Sequence, residues 1–329
     1  MPVPVITVAQ MREWEKVTWS SGVTEDAVMR NAGAAVARCA ERMTGEGDFV
    51  LFLGVSFVGL GIFNGLSTWI EDIVRPRGFS LLALDETDST NDEAARQLAA
   101  GRTAPFAVFA HRQTKGRGRL GRAWHSESNG NLYLSVAFRP RVPPERMGAF
   151  TLWMGLNVCE LLANFAKVTP GLKWPNDILF DGKKAGGILT EARIDADEIR
   201  DLVFGLGLNL NGRGADLPRD LQKTAISLAD ATGAPLDLNR FAAALIGRVL
   251  TAYDQFLEGG YRDKFAALWK RYDVLRGRPV SVTQGTRTVT GTVTGIDNEG
   301  SLIVRLNSGR SERFRAGEVT LSREAAPAV

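Results

Sequence analysis

Two apolar strands separated by a basic, glycine-punctuated loop constrain this chain more than any other feature. "APFAVFAHRQ", residues 104–113, reads as a buried strand, and "NLYLSVAFRP", residues 131–140, alternates as a second. Between them "QTKGRGRLGRAW" sets Lys115, Arg117, Arg119 and Arg122 among Gly116, Gly118 and Gly121, with no acid beside them. Unpaired guanidinium groups are too costly to bury, so the loop must meet water or an anion. Glycine lets a backbone come close to a ligand, and an arginine fork suits a carboxylate or a phosphate. The whole chain carries 40 basic against 37 acidic residues, so its net charge of +3 gives no argument for nucleic acid. The positive charge is local, and its partner must be sought locally.

The flanking sequence supplies a mixed α/β pattern. "FSLLALDETDSTNDEAARQLAAGRT", residues 79–103, predicts a strand, a polar corner and a short helix. Thr90 and Glu93 have capping-box spacing, and Gly101 can end that helix. Thr151 to Ala166 predicts an amphipathic helix, and residues 239–272 read as helical. "LKWPNDILFDGKKAGGILTEARI" predicts a hairpin turning at Asp181-Gly182, and "DLVFGLGLNLNG" one more alternating strand. From Arg276 to Leu306 the chain is rich in β-branched residues with turns at short intervals, which predicts a small SH3-like β-barrel.

The N-terminal region reads differently. Residues 22–45 predict a helix capped by Thr24, and "DFVLFLG" a buried strand. The uncharged stretch Phe49 to Ile70 is long enough to cross a bilayer, but its glycines and acidic flanks favour a buried strand and turn, so membrane attachment is not expected. No cleavable signal pattern precedes it. Cys39 and Cys159 are too far apart in sequence to suggest a disulfide framework, which fits a reducing cytoplasm. The two histidines, His111 and His125, have no zinc-like spacing and look incidental.

Five motifs in order carry a resemblance: "DSTN" at 88–91, "GRGRLGRAW" at 116–124, "KWPNDI" at 173–178, "KKAGGILTE" at 183–191 and "GLGLNLN" at 205–211. Together they resemble the biotin protein ligase family, over about residues 80–323. The resemblance implies an α/β (α+β) fold: a mixed, mainly antiparallel sheet packed with helices over 79–272, then the SH3-like barrel over 273–323. It also implies biotin and ATP with Mg²⁺ as co-substrates, no tightly bound cofactor, and a biotin carboxyl carrier protein or domain as acceptor. Lys184 and Arg119 are then the catalytic candidates. Ser89, Thr90, Asn91, Gln113, Gly116, Arg117, Gly118, Gly187 and Asn209 would join them around biotin. Arg117, Arg122, Trp124, Asn131 and Asn176 would meet ATP or the adenylate together with Arg119 and Lys184. Asp177 is the Mg²⁺ candidate, and Lys173 would steady the acceptor domain.

Adjacent strand residues face opposite ways, so only one of Lys183 and Lys184 can point into a site; the resemblance selects Lys184. A lipoate protein ligase would share the adenylation chemistry and is the nearest alternative. A ligase that also represses transcription is another, although residues 1–78 show no basic helix-turn-helix pattern, so specific DNA binding is not expected. That segment is faintly similar, through "ITVAQMREWEK" and "MRNAGAAVA", to the opening of the NAD(P)HX epimerase domain; it reads as a truncated remnant without that activity. A homodimer stays open.

Overall fold

The two strands that flank the basic loop become hydrogen-bonded neighbours inside a sheet. The structure, a computed structural model, describes residues 79–126 and 130–321. The expected helix at 22–45, the strand "DFVLFLG", the stretch Phe49 to Ile70 and the whole 1–78 segment lie outside the described residues.

The chain opens with β1 (Ser80–Thr87), α1 (Thr90–Ala99) and β2 (Phe106–Gln113). β1 and β2 pair in parallel, as a strand-helix-strand unit requires. After the loop, β3 (Leu132–Phe138) returns antiparallel to β2, with Phe106 opposite Ala137. Then come α2 (Met147–Ala166), β4 (Gly171–Lys173), β5 (Asp177–Phe180), β6 (Lys183–Asp195) and β7 (Glu198–Leu208). The seven strands are ordered β1-β2-β3-β7-β6-β5-β4, and every pair except β1-β2 is antiparallel. The sheet is mixed and mainly antiparallel, as expected. The Asp181-Gly182 turn is also where the sequence placed it, with both residues at positive φ (48° and 75°), as a tight hairpin needs.

Burial explains two departures from the sequence reading. β3 is buried at every position, because one sheet face packs on α1 and the other on the main core. The α2 helix is not amphipathic: Phe150, Trp153, Met154, Leu156 and Cys159 point around its circumference and all are buried. It lies between the sheet and two helices, α4 (Leu238–Glu258) and α5 (Arg262–Tyr272), which follow the short α3 (Leu228–Thr232). Among the described residues it is the one helix long and apolar enough to cross a membrane, and the protein core accounts for that apolarity. The helical region expected over 239–272 consists of two helices, α4 and α5, divided at Gly259, which caps α4 with φ of 84°.

The N-cap of α1 is a further correction. Ser89, not Thr90, caps the helix, its hydroxyl accepting from the Asp92 N–H at 3.5 Å. The Thr90 hydroxyl is thereby released for other work.

The last segment folds into β8 (Pro279–Gln284), β9 (Arg287–Ile296), β10 (Leu302–Leu306), β11 (Ser311–Phe314) and β12 (Glu318–Leu321), without a helix. The order β11-β10-β9-β8-β12 is antiparallel throughout, consistent with the SH3-like expectation. Its interior side chains Val280, Val282, Val304 and Phe314 belong to the same hydrophobic cluster as the large sheet. The Trp174 indole N–H donates to the Gly300 carbonyl at 3.0 Å, stitching the two sheets together. That contact brings β12 toward the basic loop.

Candidate active site

A cavity of about 380 Å³ opens where the start of α1, the basic loop, the glycines of β6 and β7 and the strand β12 converge. One end is polar and buried. Thr90 N–H donates to Gln113 Oε1 at 2.8 Å, and the Gln113 amide donates onward to Ser126 Oγ at 3.1 Å. The Asn91 amide donates to the Leu189 carbonyl and to Glu191, at 3.1 and 2.7 Å. Ser89, Thr90, Asn91 and Gln113 are all at least nine-tenths buried, yet each contributes to the cavity wall. Gly205 sits beneath Asn91 because a Cβ there would overlap the amide.

The loop is not a uniform positive surface. Arg117 is held between two acids, Asp92 at 2.5 Å and Glu191 at 3.0 Å. Arg122 pairs with Glu318 of β12 at 2.6 Å. Arg119, between them, makes no ion pair among the described residues; it donates to the Gly317 carbonyl at 3.3 Å and to Asn176 Oδ1 at 3.5 Å. Burial lowers its pKa, against the opposing fields of Asp177 and Glu318. It is therefore the loop arginine that gains most from a bound anion. Lys173 shares this character, its ammonium pKa lowered by burial despite the nearby Asp177.

Lys184 projects from the start of β6 into the cavity, and its Nζ meets Asp177 Oδ1 at 2.7 Å. Lys183 is exposed, as alternation demands. The Trp124 indole closes the loop's end by lying against Gly187 and Gly207, so near that a Cβ on Gly207 would stand 2.7 Å from the ring. Lys184 Nζ is 5.4 Å from the centre of the same indole, in cation–π range. One cavity thus joins a neutral hydrogen-bonding end to a cationic end. That suits a ligand with an uncharged polar head and an acid that will be joined to a phosphate.

Residues 84–209 match the Biotin/lipoate A/B protein ligase family, and residues 276–322 match the Biotin protein ligase C terminal domain. The chain is similar to the bifunctional ligase/repressor BirA of Bacillus subtilis, with 32% identity over 240 residues, covering 71% of this chain and 70% of that protein. The chain belongs to the biotin protein ligase family. It is similar also to the biotin–[acetyl-CoA-carboxylase] ligase of Mycobacterium tuberculosis, 33% identical over 71% of this chain and 86% of that one. Among solved structures, the biotin protein ligase from Aquifex aeolicus in complex with biotin and ATP is 30% identical, with a TM-score of 0.64, over 74% of this chain and 99% of that chain.

Within this ligase most of the residues singled out by sequence lie on the one cavity. Gly118, Arg119, Arg122 and Trp124 of the loop reach it, as do Asn176, Asp177, Lys184, Gly187 and Asn209 from the strands. Two do not. Asn131 is buried and directs its Oδ1 to the N–H groups of Leu210 and Gly212, at 2.9 and 3.1 Å, so it pins the chain beyond β7 and does not line the cavity. Gly116 packs under the loop, where a Cβ would stand 2.6 Å from Ser126 Oγ. Arg117 reaches the wall, but with its charge already matched by two carboxylates.

The cavity also contains residues the sequence reading passed over. His125, incidental by its sequence spacing, lines it. Glu318 and Val319 enter from β12, and Leu217 and Leu221 from the segment after β7. No local pattern marks these last four, because they reach the site only through the packing of distant segments.

Proposed function

We propose that this ligase activates biotin with ATP and then transfers it to a lysine of a biotin carboxyl carrier protein or domain. In the first step a biotin carboxylate oxygen attacks the α-phosphorus, a new C–O–P bond forms, and pyrophosphate leaves with the electron pair of the broken P–O bond. In the second, the ε-amine of the acceptor lysine attacks the acyl carbon; AMP leaves and the amine loses a proton. Neither step needs a nucleophile from the enzyme. The shared cavity carries this reading: the hydrogen-bonding groups at the start of α1 and the cations Lys184 and Arg119 face the same space.

Each group has a physical task. Ser89, Thr90, Asn91 and Gln113 offer donors and acceptors to a ureido head, while Gly187 lets the ligand lie close to β6. Lys184 draws together two anions that would otherwise repel, and stabilises charge moving toward the leaving pyrophosphate. Arg119 sits where the loop can cover the acyl phosphate and keep water from it. Asn176 and Asp177 supply one amide oxygen and one carboxylate, a sparse donor set that fits Mg²⁺ carried mainly by nucleotide phosphates. When bound, that ion would offset phosphate charge. Asn209 shapes the wall near the ligand, and Trp124 provides an apolar surface beside Lys184.

The polar end also favours biotin over lipoate, whose dithiolane has no N–H and would leave buried acceptors without partners. A ligase that also represses transcription is the second reading, since relatives bear the name ligase/repressor; residues 1–78, which would carry that role, show no basic helix-turn-helix pattern in their sequence, and specific DNA binding is not part of this proposal. Cytoplasmic location follows as part of the same proposal. The test is to incubate the protein with ATP, an apo carrier domain and either labelled biotin or labelled lipoate. Label on the carrier lysine supports the assignment; label transferred only from lipoate would overturn it.

A further inference from the structure

Ser135 of β3 lies behind the polar end of the cavity, fully buried and out of contact with the cavity itself. Its hydroxyl meets Asn91 Oδ1 at 2.6 Å and Thr90 Oγ1 at 2.8 Å. A hydroxyl has one proton and two lone pairs. Both hydrogens of the Asn91 amide are engaged, by Leu189 and Glu191, so its oxygen must be the atom turned to Ser135. That oxygen carries no hydrogen, and the Ser135 proton therefore goes to Asn91. The contact between Ser135 and Thr90 then requires the Thr90 hydroxyl to give its own proton. The other oxygen within reach is Gln113 Oε1 at 3.1 Å, which already accepts from the Thr90 N–H. On either partner the Thr90 proton is spent inside the network. Thr90 can offer the cavity only lone pairs.

We infer that Ser135 is a positioning residue that fixes Thr90 as a hydrogen-bond acceptor, and so selects a ligand that presents an N–H there. This rests on the biotin reading above, because a ureido N–H is the donor that matches. Gly205 completes the device: it leaves room for Asn91 to stand between Ser135 and Glu191. Without Ser135, the Thr90 proton keeps only the longer contact and can turn into the cavity against the ligand's N–H. Asn91 Oδ1 also loses its donor in a buried setting.

The test compares wild type, Ser135→Ala and Ser135→Cys in adenylate formation, using biotin and analogues methylated on one ureido nitrogen or the other. Loss of one buried hydrogen bond is worth roughly a tenfold change, so Ser135→Ala is expected to raise KM for biotin about tenfold while kcat stays within about twofold. Ser135→Cys, which keeps a weak donor of similar size, is expected to recover part of that loss. The analogue methylated at the nitrogen facing Thr90 should bind wild type and Ser135→Ala equally poorly. An unchanged KM, or a parallel fall in kcat with the same loss for every analogue, would overturn the inference. Thermal melts of all three proteins separate misfolding from altered recognition, and a destabilised Ser135→Ala shifts the decision to Ser135→Cys. Wild type that forms no biotinyl-adenylate would sink the ligase reading itself, and this inference with it.

Discussion

Adding one methyl group at Gly207 tests the architecture of the site directly. Gly207 pairs with Tyr133 of β3 on one side and Gly187 of β6 on the other, so its backbone has no freedom to retreat. The Cβ of Gly207→Ala would stand 2.7 Å from both Cε2 and Nε1 of Trp124, and 2.9 Å from Cζ2. Ordinary carbon contacts lie at about 3.5–4.0 Å, so the indole must lift by roughly 1 Å. Overpacking of this kind costs about 1–3 kcal/mol. For a domain of this size each kcal/mol lowers Tm by roughly 2–4 °C, giving an expected fall of about 2–12 °C. Lifting the ring also disturbs the space beside Lys184, and a misplacement near 1 Å can cost about 100-fold in rate. The assay is a thermal melt beside biotin-dependent pyrophosphate exchange, for Gly207→Ala, Trp124→Ala and the double variant. Once the indole is gone, the added methyl should cost less than about 0.5 kcal/mol, since the two sites no longer touch. The same destabilisation with and without Trp124 would refute the seating of the indole on Gly207.

Other perturbations probe the remaining parts of the site. Lys184→Ala should lower adenylate formation by about 10²–10³-fold while changing biotin affinity far less, checked by single-turnover pyrophosphate release against direct binding. Glu318→Gln removes the partner of Arg122, an exposed pair worth at most about 1 kcal/mol, so trypsin should cut the basic loop up to about fivefold faster, with high salt reproducing the change in wild type. Asp88 has its carboxyl held below the usual range by hydrogen bonds from Arg96, at 2.7 and 3.0 Å. A depressed acid stabilises the fold above its unfolded pKa and loses that contribution as pH falls. Urea midpoints should therefore drop further between pH 5 and pH 3 in wild type than in Asp88→Asn, by under about 1 kcal/mol because the pair is exposed. An equal drop would exclude Asp88 from the acid sensitivity.

Local chemistry determined much of this protein before any packing was known. Alternation and turn residues fixed the strands around the basic loop and the Asp181-Gly182 hairpin, since period and positive φ are properties of a few neighbouring residues. Alternation likewise sent Lys183 and Lys184 to opposite faces. The order of motifs disclosed the family because the site is assembled from short, contiguous segments. What the sequence could not supply is which segment meets which across the sheet. Placement of β3 between β2 and β7, with a helix on one face and the main core on the other, buried it on both faces, and stacking against α4 and α5 turned an expected amphipathic helix into one buried nearly all round. The same long-range order gave Arg117 two carboxylate partners, drew Asn131 to the chain beyond β7, and carried Glu318 from the last strand to Arg122. Helices and strands obey rules that span a few residues, whereas pairing between distant charges depends on a three-dimensional order that those rules leave undecided.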